Sequence, residues 1–200
     1  MYLSLRPLLR AICKEKHRSD HINRSTSLAF AGQSLNRCEH SSGSVFTMAR
    51  LVMKFGGVSV ADGNRLRHVG DLVIHFSRDN EIVLVTSALQ GVTDDLLACA
   101  RKAAKEGNVS DVIDFMEKLT DRHNQAITDA IKDPQIAKEI SDTVSKKLSE
   151  LEKAYIGICY LGELTARSLD YISSYGEQLA APILAGVLRK RSKYIALRKG

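Results

Sequence analysis

Tryptophan is absent, and the 200 residues hold only six tyrosines and five phenylalanines. So thin an aromatic set offers no platform on which single-stranded bases could stack, which argues against a nucleic-acid partner. Cysteine is also sparse. Cys13, Cys38, Cys99 and Cys159 are scattered, with no C-x-x-C pair. That spacing supports neither a zinc site nor a disulfide framework, and the four read as free thiols of a reducing compartment. No apolar run approaches the roughly 20 residues that span a bilayer, and Arg6 and Arg10 interrupt the one near the start. The expectation is a soluble, cytoplasmic protein with no membrane partner.

The formal net charge of +6 would suit a polyanion if it lay on one surface, but it does not. Residues 1–47 hold seven Lys and Arg against three Asp and Glu, leaving a nearly balanced twenty-two against twenty in residues 48–200. The same boundary divides the chain by texture. Residues 1–47 are rich in Ser and Arg and lack sustained periodicity, so no fold is predicted for them. An Arg- and Ser-rich leader suits an organelle transit peptide, but such peptides have few acids and this one contains Glu15, Asp20 and Glu39. An upstream extension of a chain that naturally starts at Met48 fits better.

From Met48 onward the pattern is regular. Leu51, Val52, Met53, Lys54 and Phe55 form a short apolar run that stops at Gly56 and Gly57, as a buried strand entering a tight turn does. Leu66, Val69, Val73 and Phe76 then recur at helical spacing, and Ile82 to Thr86 give a second buried strand. Asp94 and Asp95 sit where the first turn of the next helix belongs, against the positive end of its dipole. Ser110 is the predicted cap of a further helix, and Pro134 can open another in its first turn. After a break at Ser174 to Gly176, a helix carries Leu179, Ile183, Leu184, Val187 and Leu188, and Tyr194 to Leu197 reads as a third strand. Strands alternating with helices predict an α/β domain with a parallel sheet. Two or three strands leave apolar surface uncovered, so the domain reads as unfinished.

Chemistry concentrates at Lys54, Phe55, Gly56, Gly57, Val58, Ser59 and Val60. Paired glycines let backbone amides come close to a bulky anion, and a neighbouring lysine adds a mobile positive charge. Phosphoryl transfer asks little more of a protein than positioning and charge neutralisation. A Walker A loop is excluded, because it needs its lysine after the glycines. A dinucleotide fingerprint lacks its third glycine, and a G-x-S-x-G elbow fails at Ala61. Taken alone, Gly-Gly after a strand is more often a plain turn than a phosphate site. Ser59 and Thr93 would equally serve as helix caps, Ser87 as a strand end and Glu177 as a solvated first-turn carboxylate.

The wider pattern carries more weight. Lys-Phe-Gly-Gly-Val-Ser-Val at 54–60 resembles the opening signature of aspartate kinases in the amino-acid kinase family. Val85-Thr86-Ser87-Ala88 with Val92-Thr93-Asp94 resembles that family's next active-site turn. Tyr160-Leu161-Gly162-Glu163-Leu164-Thr165 and Ser174-Tyr175-Gly176-Glu177 resemble its later ones, most closely in the archaeal type. The resemblance implies the three-layer, mainly parallel α/β sandwich of carbamate kinase-like proteins, present here as its N-terminal, substrate-side part. It implies ATP as co-substrate, with Lys54, Phe55, Gly56, Gly57, Ser59 and Ser87 at its phosphates and Lys54 stabilising charge on the transferred group. It implies L-aspartate as substrate near Thr93 and Glu177, Mg²⁺ arriving with the nucleotide, and a homo-oligomeric full-length protein. Val58 stands where most relatives have threonine. The resemblance implies that the family's second Gly-rich segment, its adenosine-binding half and its regulatory domains lie outside these 200 residues. Two other readings stay open: a family member acting on a different carboxylate or carbamate, and a non-catalytic remnant.

Overall fold

The computed structural model describes residues 2–4, 35–38, 46–189 and 196–198. Two strands, β3 (Phe46–Phe55) and β4 (Asn80–Thr86), form the centre of the sheet. They run parallel with Ala49 opposite Asn80 and Phe55 opposite Thr86. The crossover between them is a short 3₁₀ turn (Gly57–Val60) and helix α1 (Gly63–Phe76), as expected for a parallel pair. Alternation orients both strands. Ile82, Leu84 and Thr86 of β4 are buried, and Leu51, Met53 and Phe55 of β3 pack against the same core. Val52 and Lys54 project from the opposite face, where Val52 is 63% exposed.

Four more helices follow β4 before the last one: α2 (Val92–Glu106), α3 (Val109–Ala130), α4 (Pro134–Leu161) and the short α5 (Ala166–Ser173). Helix α6 (Tyr175–Arg189) then runs through the core, with Leu179 to Leu188 buried throughout. Helices α1 and α6 meet β4, while α3 and α4 pack on each other and onto α6. A β-carbon on Gly70 of α1 would lie 2.7 Å from Val187 Cγ1 of α6, so glycine is what allows these two helices to approach. The described residues thus supply two of the three layers that the resemblance implies.

Several local expectations change. Asn108 caps α3 by accepting the Ser110 N–H at 3.0 Å, so Ser110, the predicted cap, is the second helical residue. Pro134 does open α4, behind an Asp133 cap that accepts from Gln135 and Ile136. Strands also occur in the leader for which no fold is predicted: β1 (Tyr2–Ser4) and β2 (Leu35–Cys38). With β5 (Ala196–Arg198), close to the predicted third strand, the sheet order is β2-β3-β4-β1-β5. Among the described residues parallel pairing is confined to β3 and β4, and each antiparallel pairing involves a leader strand. The open edges of β3 and β4 present unpaired backbone groups that any extended segment can satisfy, and local composition does not reveal that demand.

Candidate active site

Both candidate turns leave the sheet at one place. Phe55 and Thr86 are the last paired residues of β3 and β4, and the Ser87 N–H extends the ladder by donating to the Phe55 carbonyl at 3.0 Å. Ligands of open α/β sheets bind beyond the carboxyl ends of the strands, which is where the two turns lie. Gly56 is extended and leads into the 3₁₀ turn, closed by the Ser59 N–H on the Gly56 carbonyl at 2.9 Å. The helix cap after it is Asp62, which accepts the Arg65 N–H, so Ser59 is not used as a cap and stays exposed. Gly91, in the left-handed region at φ 80°, fills the cap position of α2 without a side-chain bond. Thr93 is therefore free of that capping role too.

Two close approaches bring a third segment in. A β-carbon on Gly57 would lie 3.3 Å from the Ala88 carbonyl oxygen and 3.5 Å from Gln90 Cα. One on Gly176 would lie 2.7 Å from Ala88 Cβ and 3.1 Å from Thr93 Oγ1. The turn after β3, the turn after β4 and the start of α6 thus meet around Ala88, although they are more than 100 residues apart in sequence at the extremes. Glu177, half-buried, follows Gly176 directly in the first turn of α6. Lys54 is exposed, one residue before the last sheet pair, and Phe55 turns its ring to the core, so it reaches this region through its backbone. Val58 is 60% exposed.

Residues outside the predicted set hold this arrangement. Arg122 of α3 donates to the Gln90 carbonyl and lies 3.5 Å from Asp95 Oδ2. At the α5–α6 corner the Ser174 hydroxyl donates to the Tyr171 carbonyl at 2.6 Å, and Gln178 Nε2 donates to Ser174 Oγ at 2.9 Å. Lys147 Nζ of α4 in turn donates to Gln178 Oε1 at 2.9 Å. No local sequence signal marks Arg122 or Lys147, since each acts across a helix contact.

One expected active-site turn lies elsewhere. Gly162, at φ 66°, caps α4 beside the Ala104 carbonyl. Ala104 is eleven residues along α2 from Thr93, roughly 16 Å at the helical rise. The Tyr160–Thr165 segment therefore sits at the far end of α2, with Glu163 exposed, and α5 is the element that returns the chain to Ser174. The motif is recognisable in sequence, but its place in the fold is structural.

A groove of about 560 Å³ runs between α2 and α3 past Cys99, Lys102 and Asp111, touching the region above only at Asp95 and Arg122. Burial pushes the Cys99 thiol up to about 12, which disfavours the reactive thiolate. The Lys102 ammonium is pushed up chiefly by its hydrogen bond to Asp111, and the two lie 2.9 Å apart. These groups neutralise each other and leave no chemistry comparable to that at the strand ends. Among the described residues no group of three His, Cys, Asp or Glu could hold a metal, and no helix is long and apolar enough to cross a membrane.

A family model for the amino acid kinase family matches residues 49–196. Aspartokinase 1, chloroplastic, of Arabidopsis thaliana is 34% identical over 139 residues, covering 68% of this chain and 23% of its own length. The aspartokinase of Saccharomyces cerevisiae is 30% identical over 161 residues, with 74% and 30% covered. In fold, the chain is similar to E. coli aspartokinase III crystallised with aspartate and ADP, at TM-score 0.58 and 21% identity, over 70% of this chain and 29% of that one. The same enzyme with lysine and aspartate gives 0.59 at 20% identity, with the same shares covered. The chain thus spans only 23% to 30% of the length of these relatives.

Proposed function

Because this chain belongs to the amino acid kinase family, we propose that it is the substrate-side part of an aspartate kinase. The reaction is ATP-dependent phosphorylation of the L-aspartate side-chain carboxylate to 4-phospho-L-aspartate, the first step toward lysine, threonine and methionine, in the cytoplasm. The observation that carries the reading is the convergence of Gly57, Thr93 and Gly176 around Ala88 at the strand ends. It brings a phosphate-type turn and an acidic helix start into one place, as a reaction between a nucleotide phosphate and an amino acid that carries an ammonium group requires.

The chemistry follows from the residue types. A carboxylate oxygen of aspartate attacks the γ-phosphorus, an O–P bond forms, and the bond to the ADP oxygen breaks without need of a proton. Negative charge spreads over the transferred group, and the Lys54 ammonium with the amides of Gly56 and Gly57 opposes it. Ser59 and Ser87 are hydroxyl donors beside the same phosphates. Glu177 takes the substrate ammonium in a charge-assisted bond, with the Thr93 hydroxyl nearby. The donor set of lysine, amides and hydroxyls suits phosphate oxygens rather than a metal, so Mg²⁺ would be carried in by the nucleotide and would neutralise its charge there. That the E. coli relative was crystallised with aspartate and ADP agrees with both ligands. A homo-oligomeric assembly belongs to the same reading.

The test is a coupled ADP-release assay with a panel of amino-acid acceptors, using Lys54→Ala as control. Aspartate-dependent turnover that falls about 10²- to 10³-fold in the variant is expected, the usual cost of removing one charge-stabilising donor. Turnover indifferent to aspartate, or an unimpaired variant, removes the proposal.

A further inference from the structure

The turn from Ser87 to Gly91 is fixed at two points by its own backbone and at a third by a side chain from elsewhere. Ser87 N–H binds the Phe55 carbonyl, and Val92 N–H binds the Leu89 carbonyl at 3.0 Å. Between them Gln90 and Gly91 are exposed, and Gly91 has no side chain to anchor it. Peptides of this kind flip readily, because glycine accepts φ of either sign at little cost. The Arg122 guanidinium closes that freedom by holding the Gln90 carbonyl from one terminal nitrogen while the other faces Asp95 on α2.

In a planar trans peptide the carbonyl and the following amide point in opposite directions. Fixing the Gln90 carbonyl on α3 therefore turns the Gly91 N–H away from α3. It also fixes the part of the turn, Gln90 Cα, against which Gly57 is packed. We infer that Arg122 is a positioning residue that sets the Gln90–Gly91 peptide and thereby the seat of Gly57 and the start of α2 that bears Thr93. This role rests on the aspartate kinase reading for its effect on turnover, but the placement of the turn does not.

The experiment compares Arg122→Gln, Arg122→Lys and Asp95→Asn in the full chain, by amide hydrogen exchange and by turnover. Arg122→Gln is expected to speed exchange at Val92, whose N–H is held by the Leu89 carbonyl, about tenfold and to lower kcat about tenfold or more. Its thermal midpoint should stay within about 4 °C of the wild type, as for other surface substitutions. Arg122→Lys, which keeps one donor, should recover part of both losses, and Asp95→Asn, which weakens the guanidinium's second contact, should show a smaller loss of the same kind. Unchanged exchange in Arg122→Gln overturns the inference, as does faster exchange with undiminished turnover. A wild-type chain without aspartate-dependent turnover sinks the kinase reading instead. Exchange without nucleotide then decides the present point by itself: faster exchange at Val92 in Arg122→Gln supports the placement of the turn, and unchanged exchange overturns it.

Discussion

Gly176 and Ala88 are apposed so closely that a β-carbon on the glycine would lie 2.7 Å from the alanine's own. No flexible side-chain end is available to yield there. Gly176→Ala should therefore force the start of α6 away from the turn after β4. Overpacking costs about 1–3 kcal/mol, against a helix-propensity gain of about 1 kcal/mol or less. Urea midpoints should fall. Gly157→Ala in α4 is the control, since a β-carbon there meets nothing within 4 Å and should raise the midpoint. If both variants rise together, the apposition is not real.

Much of the frame was legible in the chain itself. Ile82 to Thr86 declare a strand because apolar, β-branched runs have few other uses, and Pro134 marks a helix start because its missing N–H is harmless only there. Asn108 and Ser110 could each cap a helix, and only geometry decides between them. His123 could have been read as buried, since it falls on the stripe of Met116, Leu119 and Ile127 at spacings of three and four. The meeting of Gly57, Ala88 and Gly176 was visible only as ordered motifs. The tie from Arg122 to Gln90 had no local signature, because a contact across 32 residues leaves no periodic trace.

Tyr155 donates its hydroxyl to the Leu96 carbonyl at 2.8 Å, fully buried between α4 and α2. Burial holds the phenol well above its usual range, so it is a permanent donor. Tyr155→Phe keeps the ring and its edge contact with Phe115. The expected loss is about 1 kcal/mol, whereas Tyr155→Ala should cost about 3–5 kcal/mol. Thermal unfolding of both variants separates the hydroxyl from the ring.

Glu177→Gln removes a charge but keeps the shape and the half-buried first turn of α6. On the proposed role, its effect should fall on aspartate and spare ATP. A rise of about tenfold or more in the KM for aspartate is expected, with the KM for ATP within about twofold, since a charge-assisted hydrogen bond is worth about 1.5–3 kcal/mol. Equal effects on both substrates would move Glu177 out of the acceptor side.

His123 links stability to pH. Its Nδ1 lies 2.7 Å from the Leu119 carbonyl, which can only accept, so that nitrogen carries the proton of the neutral ring. Nε2 is buried and has no hydrogen-bond partner among the described residues. Burial, aided by the Arg122 charge and opposed by the Leu119 carbonyl, lowers the folded-state value below the ordinary 6.5. Below 6.5 the unfolded chain therefore binds the proton more readily than the folded one. The stabilisation is fully present above that value and is lost as pH falls from 6.5 through the folded value. The loss has a limiting slope of about 1.4 kcal/mol per pH unit. His123→Gln keeps a donor for Leu119 and does not titrate. Its urea midpoint should fall less than that of the wild type between pH 7.5 and pH 5.5, and parallel declines would show that another group carries the dependence.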